Sequence, residues 1–146
     1  MEYSPLAWSS CPPSYLGHLD SVQDRATRLI QLKTRDPRCY DLQPLQHRRD
    51  VGGLCVMFKA NTQRVDHLAN LRLPELPPIN NATRLRSCSE GHMLKVPFAR
   101  TESYLRSFIP HYGRLWNTMV KNTDLHHSST LHQFKSGANQ WLHSTT

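Results

Sequence analysis

The carboxylates of this 146-residue chain do not include the adjacent Asp-Asp pair that is typical of metal-dependent polymerase and nuclease sites. A two-metal site needs carboxylates held within a few ångströms of each other, and an adjacent Asp-Asp pair is the usual source. The seven aspartates stand at 20, 24, 36, 41, 50, 66 and 124, so none is adjacent to another. The chain also has no G-x-S-x-G sequence and no glycine-rich phosphate loop. We therefore expect no catalytic residue and no enzymatic activity.

Nine histidines and four cysteines are the candidate metal ligands. His126 and His127 with His132 form the densest group, and Cys88 with His92 is the one Cys/His pair at short spacing. A structural zinc site needs a closed set of four ligands, usually in pairs such as Cys-x-x-Cys. Because no such spacing occurs, we expect no metal, no cofactor and solvated histidines. A zinc site is the less favoured interpretation.

Cysteine content and hydropathy bear on the compartment. Four cysteines in 146 residues are too few for a disulfide scaffold. We expect no signal peptide, and the sequence has no apolar run near the roughly 18 residues of a membrane span. These features indicate reduced thiols in an intracellular protein of the nucleus or cytoplasm, without a membrane partner.

The basic residues carry the stronger signal. A net charge of +7 and a pI of about 9.6 favour anionic partners, with nucleic acid first and a membrane surface second. Aromatic residues at 104, 108, 112 and 116 interleave with arginines, which suits stacking on unpaired bases, although we favour core positions for Phe108 and Trp116. The alternative is a solvated basic face that binds nothing. The predicted nucleic-acid-binding residues, expected to contact phosphates, are Arg25, Arg28, Arg35, Arg48, Arg49, Arg100, Arg106 and Arg114.

Apolar residues at three- and four-residue steps predict helices in the first half of the chain. The first helix spans about 14–32, and the second spans about 44–60 with Arg48 and Arg49 facing outward. A shorter helical piece is predicted at 64–71. Gly52 and Gly53 weaken the second prediction but would permit close packing on the first helix. The residues expected to face inward are Leu16, Leu19, Val22, Ala26, Leu29 and Ile30 in the first helix, and Leu45, Val51, Leu54, Cys55 and Phe58 in the second.

The second half begins with a change of composition. Prolines, asparagines and serines at 74–92 indicate a linker. Two short strands are predicted next, at 93–98 and 104–108, and Pro97 makes the first an edge strand. A last helix follows Ser128 or Ser129. Its expected apolar face is Leu131, Phe134, Ala138, Trp141 and Leu142. The predicted fold class is mainly α with a small antiparallel β-hairpin (α+β), organised as a helical unit at 1–73, the linker at 74–92, and the hairpin with the C-terminal helix at 93–146.

Five segments follow one another in an order that resembles the C-terminal region of LINE-type (non-LTR, jockey-like) retrotransposon reverse transcriptases. They are EYSPLAW at 2–8, LDSVQDRATRLI at 19–30, LQHRRDVGGLCVMFK at 45–59, RTESYLRSFIPHYGRLWNTM at 100–119 and LHQFKSGANQW at 131–141. The resemblance covers nearly the whole chain and corresponds to the thumb and the region after it. One departure is that WNTMV at 116–120 lacks the proline that usually follows this Trp-Asn signature.

The resemblance implies a non-catalytic fragment, since the endonuclease and the palm with its paired aspartates would lie upstream of Met1. The helical unit at 1–73 would be thumb-like, and the expected activity is non-specific RNA or DNA binding. An alternative is an interaction module that associates with itself through the apolar cluster Tyr3, Leu6 and Trp8. Another alternative is a decayed product without function.

Overall fold

The structure, a computed structural model, describes residues 5–34, 42–76 and 92–145. Within these ranges the chain is mainly helical, as predicted, and none of its helices is long and apolar enough to cross a membrane. Short 3₁₀ helices lie at Asp66–Leu71 and Leu125–His127. The α-helices are α1 (Pro5–Trp8), α2 (Pro13–Thr34), α3 (Leu45–Asn61), α4 (Glu102–Arg106), α5 (Phe108–Asn122) and α6 (Leu131–Thr145).

Three helices, α3, α5 and α6, enclose the core. The rings of Phe58 in α3 and Phe134 in α6 are stacked with centroids 4.3 Å apart. The ring centroid of Trp116, in α5, is 5.9 Å from that of Phe134. Leu54, Met57 and Met119 are fully buried around them. The predicted units 1–73 and 93–146 therefore share one hydrophobic core.

The apolar faces of two helices agree with their predictions. In α3, Leu45, Val51, Leu54 and Phe58 are buried, while Cys55 is half-buried at the edge of the core. In α6, all the expected residues except the half-buried Leu131 are buried. The cap of α6 is one or two residues later than predicted, because the Thr130 hydroxyl accepts a hydrogen bond from the Gln133 amide at 3.3 Å.

Gly53 of α3 packs directly against the Tyr112 side chain of α5. A Cβ atom added at Gly53 would stand 2.2 Å from the ring of Tyr112 on α5. The Tyr112 hydroxyl donates to the backbone oxygen of Arg49 at 3.3 Å, which holds the ring in that place. The expectation of close packing at the glycine pair is confirmed for Gly53, but its partner is α5 and not the first helix.

The predicted β-hairpin is wrong. The segment expected as its second strand is helical, because Tyr104 lies in α4 and Phe108 begins α5. Thr101 caps α4 by accepting the Tyr104 amide at 3.3 Å. Aromatic residues at 104, 108, 112 and 116 step by four, which is the repeat of a helix and not the two-residue repeat of a strand. In the described part of the chain the one β-contact is an isolated antiparallel bridge between Glu75 and Leu94.

Residues 92–94 are held against α5 by side chains of the Trp-Asn signature. The Asn117 side-chain oxygen accepts the Leu94 amide at 2.8 Å, and its NH₂ group donates to the Leu94 carbonyl at 2.8 Å. The indole N–H of Trp116 donates to the His92 carbonyl at 3.2 Å. Both backbone groups of Leu94, whose side chain is buried, are thereby paired without a second strand.

We expect Asn117→Ala to lower the free energy of unfolding by about 2 kcal/mol, because the amide and carbonyl of Leu94 would lose their partners in a part-buried position. Urea denaturation followed by circular dichroism measures this. The control is Thr118→Ala, at the next position on the exposed side of α5, which should change the value by less than about 0.5 kcal/mol. Equal midpoints for the two variants would contradict the role of Asn117.

The helix predicted at 14–32 is α2, which matches that range but buries fewer of its apolar residues than expected. Leu16 and Leu19 are half-buried, whereas Val22 and Leu29 are exposed, as are Ala26 and Ile30. Its ties to α3 are polar: Arg48 donates to the Gln23 side chain, and Arg49 Nη1 lies 3.9 Å from Asp20 Oδ1. The apolar face of α3 is already covered by α5 and α6, so little of it is left for α2.

Candidate nucleic-acid interface

A basic groove of about 580 Å³ runs between α3 and α6. Its cations are Arg48 and Lys59 from α3 and Lys135 from α6, with His132 beside them. We call this the α3–α6 groove. Of the residues that line it in the described chain, none is a carboxylate. The others are Gln43, Val51, Gly52, Cys55, Val56, Ser136 and Asn139.

Helical geometry explains why these residues share one surface. Arg48 and Lys59 are eleven positions apart, three turns of an α-helix, so both point the same way and are separated by about 16 Å along the axis. On α6, His132, Lys135 and Asn139 occupy one face at three- and four-residue steps. The His47 ring nitrogen is 2.7 Å from the Asn139 side-chain oxygen, which ties the two walls together.

Cys55 forms part of the groove floor. Burial raises the pKa of its thiol, while the positive charges of Lys135 and Lys59 act in the opposite direction. Both lysines are therefore close enough to affect the same sulfur. Because the thiol stays protonated at neutral pH, it is a weak nucleophile.

The structure places the predicted arginines on several surfaces. Arg48 lines the groove. Arg25 and Arg28 are exposed on α2, whose Gln23 accepts a hydrogen bond from Arg48. Arg35 lies outside the described residues.

Like Arg25 and Arg28, four further predicted arginines do not line the groove. Arg49 is only 4% exposed and was expected to face outward; its burial leaves no surface for a phosphate. Arg106 is paired with Glu102 at 2.9 Å, while Arg100 and Arg114 are exposed elsewhere. Lys59 and Lys135 were not among the predicted residues. The eleven-residue spacing from Arg48 was a usable signal for Lys59, but nothing local links either residue to Lys135.

Three histidines away from the groove are the candidate metal ligands. The structure brings together His92, His126 and His127, so the grouping by sequence with His132 is not the one that forms. Burial lowers the pKa of His126, and the rings of His127 and His92 lower it further. Asp124 opposes the shift, as does the Thr123 carbonyl, which lies outside good hydrogen-bonding geometry. Cys88 lies outside the described residues.

Comparison with protein-family models, with curated proteins and with solved structures found no match to this chain. These comparisons therefore assign the chain to no family.

Proposed function

We propose that the chain is a non-catalytic C-terminal part of a LINE-type reverse transcriptase and that it binds the phosphate backbone of RNA or DNA in the α3–α6 groove. The observation that carries the binding proposal is the convergence of Arg48, Lys59 and Lys135 on one groove without a lining carboxylate. Cations that neutralise phosphates release condensed counterions, which drives binding independently of base sequence.

The groove suits the backbone better than the bases. Its lining contains no phenylalanine, tyrosine or tryptophan, so it offers no ring for base stacking apart from the His132 imidazole. Of the aromatics that interleave with arginines in the sequence, Phe108, Tyr112 and Trp116 are buried in the core. The core positions predicted for Phe108 and Trp116 are confirmed. These three buried rings are not accessible for stacking on bases.

The test is a charge-matched pair of double variants. Lys59→Gln with Lys135→Gln removes two groove cations, whereas Lys95→Gln with Lys121→Gln removes two exposed cations outside it. Fluorescence anisotropy with a labelled single-stranded RNA and a DNA duplex measures affinity between 50 and 200 mM salt, about the range over which phosphate contacts change it most. We expect the groove variant to bind roughly ten- to fiftyfold more weakly near 0.1 M salt, with a salt slope shallower by about 2.

Both double variants carry the same net charge, so a general electrostatic effect weakens them equally. Equal losses in the two variants, or no salt dependence in the parent chain, would contradict binding in the groove. Circular dichroism of both variants excludes unfolding as the cause, since all four lysines are at the surface or at the groove.

A second candidate function, self-association, is favoured by the exposed apolar side of α2. Tyr15, Val22 and Leu29 are exposed at seven-residue steps, so they lie along one stripe of that helix. Leu6 of the predicted cluster is exposed as well, while Tyr3 and the side chain of Trp8 lie outside the described residues. Sedimentation that shows a dimer insensitive to salt, and lost in Val22→Ser with Leu29→Ser, would favour this function over nucleic-acid binding.

A further inference from the structure

Three histidine rings from two segments that are distant in the sequence form a cluster. His92 begins the segment 92–94 that contacts α5, and His126 and His127 belong to the 3₁₀ helix Leu125–His127. One ring nitrogen from each lies within 4.8 Å of the others. The ring centroids of His126 and His127 are 4.0 Å apart, and that of His92 is 4.8 Å from His126.

The fold fixes both segments before any ligand is considered. Trp116 donates to the His92 carbonyl at 3.2 Å, which ties that residue to α5. The 3₁₀ helix is tied to α6 because Leu125 packs on Gly137, where an added Cβ would be 2.3 Å from the leucine side chain. The backbones that carry the rings are thereby fixed by core contacts. Such support from the surrounding structure is what a metal site requires of its scaffold.

His126 is the unusual member of the cluster. It is only 3% exposed, and neither of its ring nitrogens has a hydrogen-bond partner in the described part of the chain. Burying a polar group without a partner destabilises a fold, so buried imidazoles are normally paired. A bound ion would give one of these nitrogens a partner.

We propose that His92, His126 and His127 bind one divalent transition-metal ion of the zinc type through three imidazole nitrogens. Zinc–nitrogen bonds of about 2.0–2.1 Å in tetrahedral geometry place the ligand atoms about 3.3 Å apart. The exposed His92 and His127 rings can close that difference by rotating, while His126 stays in place. Imidazole ligands suit zinc, copper and nickel and not magnesium or calcium.

The surroundings suit a cation with one coordination position left to solvent. Asp124 supplies a negative charge close enough to affect His126. A groove lined by Asp124, His127 and Trp141 opens to the surface beside the cluster, at His127. The ion would join the segment before α5 to the turn after it, so we expect it to stabilise the fold.

The test uses the full chain after treatment with a chelator, titrated with Zn²⁺ alone by calorimetry. We expect one equivalent to bind, and free Zn²⁺ at about a hundredfold excess over Kd to raise Tm by roughly 5–10 °C. Co²⁺ should give the visible absorption of a tetrahedral nitrogen site, and Mg²⁺ should give neither effect. His127→Ala and His92→Ala, both at exposed positions, should each abolish the Tm shift.

The matched control is His67→Ala, which removes an exposed histidine from the 3₁₀ helix Asp66–Leu71 and should leave Zn²⁺ binding unchanged. Absence of stoichiometric binding in the parent chain overturns the proposal. So does equal weakening in His67→Ala and His127→Ala, which would indicate adventitious surface binding. None of these variants touches the α3–α6 groove, so failure here leaves the nucleic-acid proposal unaffected.

Discussion

Phe134→Ala is expected to lower the free energy of unfolding by about 3–5 kcal/mol, which is the range for removing a fully enclosed phenylalanine. Phe134 is completely buried and joins all three core helices, since its ring stacks on Phe58 of α3 and lies near Trp116 of α5. The cavity left by the ring would be lined by large side chains that cannot easily collapse into it. Typical domain stabilities are about 5–15 kcal/mol, so much of the variant could be unfolded at 37 °C.

Phe98→Ala removes the same ring from a surface position and is the control. Phe98 is 82% exposed, and we expect a change of less than about 0.5 kcal/mol. Chemical denaturation monitored by tryptophan fluorescence measures both, because Trp116 reports directly on the core. A Phe134→Ala variant as stable as Phe98→Ala would show that α6 does not close the core in this way.

Gly53→Ala is expected to cost about 3 kcal/mol or more, although alanine is normally the better helix former. The added methyl would overlap three ring atoms of Tyr112, the nearest at 2.2 Å. The ring is fixed by its hydrogen bond to the Arg49 carbonyl and by its burial. Relief therefore requires α3 and α5 to move apart, which would open the core.

Gly17→Ala provides the opposite case within the same chain. Gly17 lies in α2, and a Cβ there would meet nothing within 4 Å. Only the helix propensity changes, so we expect a stabilisation of up to about 1 kcal/mol. Thermal melting of the two variants should therefore shift Tm in opposite directions. A shared direction would mean that the close approach at Gly53 is absent.

Helical periodicity was enough to locate α2, α3 and α6 and the buried faces of the last two. It failed for the predicted strands. A few apolar residues around Pro97 alternate by chance, and Thr101 and Ser107 occupy the N-cap positions of α4 and α5. Hydrogen bonds from Asn117 replaced the strand pairing expected for Leu94. A side chain that pairs with a distant backbone leaves no periodic signal in the sequence.

The sequence predicted that the candidate site would be basic, but it did not predict which residues would form it. Arg48 and Arg49 are neighbours and read alike in the sequence, yet one lines the groove and the other is buried beside Asp20. Helical phase decides between them, and it depends on how α3 packs. Lys59 and Lys135 come together only through the contact of α3 with α6. His92 and His126 are likewise far apart in the sequence, with α5 between them, and they come together only in the folded chain.

The pairing of Phe58 with Phe134 also bears on how the chain is made. The two rings are 76 positions apart, so a ribosome adding roughly 5–20 residues per second finishes α3 about 4–15 s before Phe134 is joined. Through that interval Leu54, Met57 and Phe58 have no α6 to pack on, and the nascent chain presents an apolar helix to its surroundings. We therefore expect this protein to depend on holdase chaperones during synthesis more than a protein whose core closes locally.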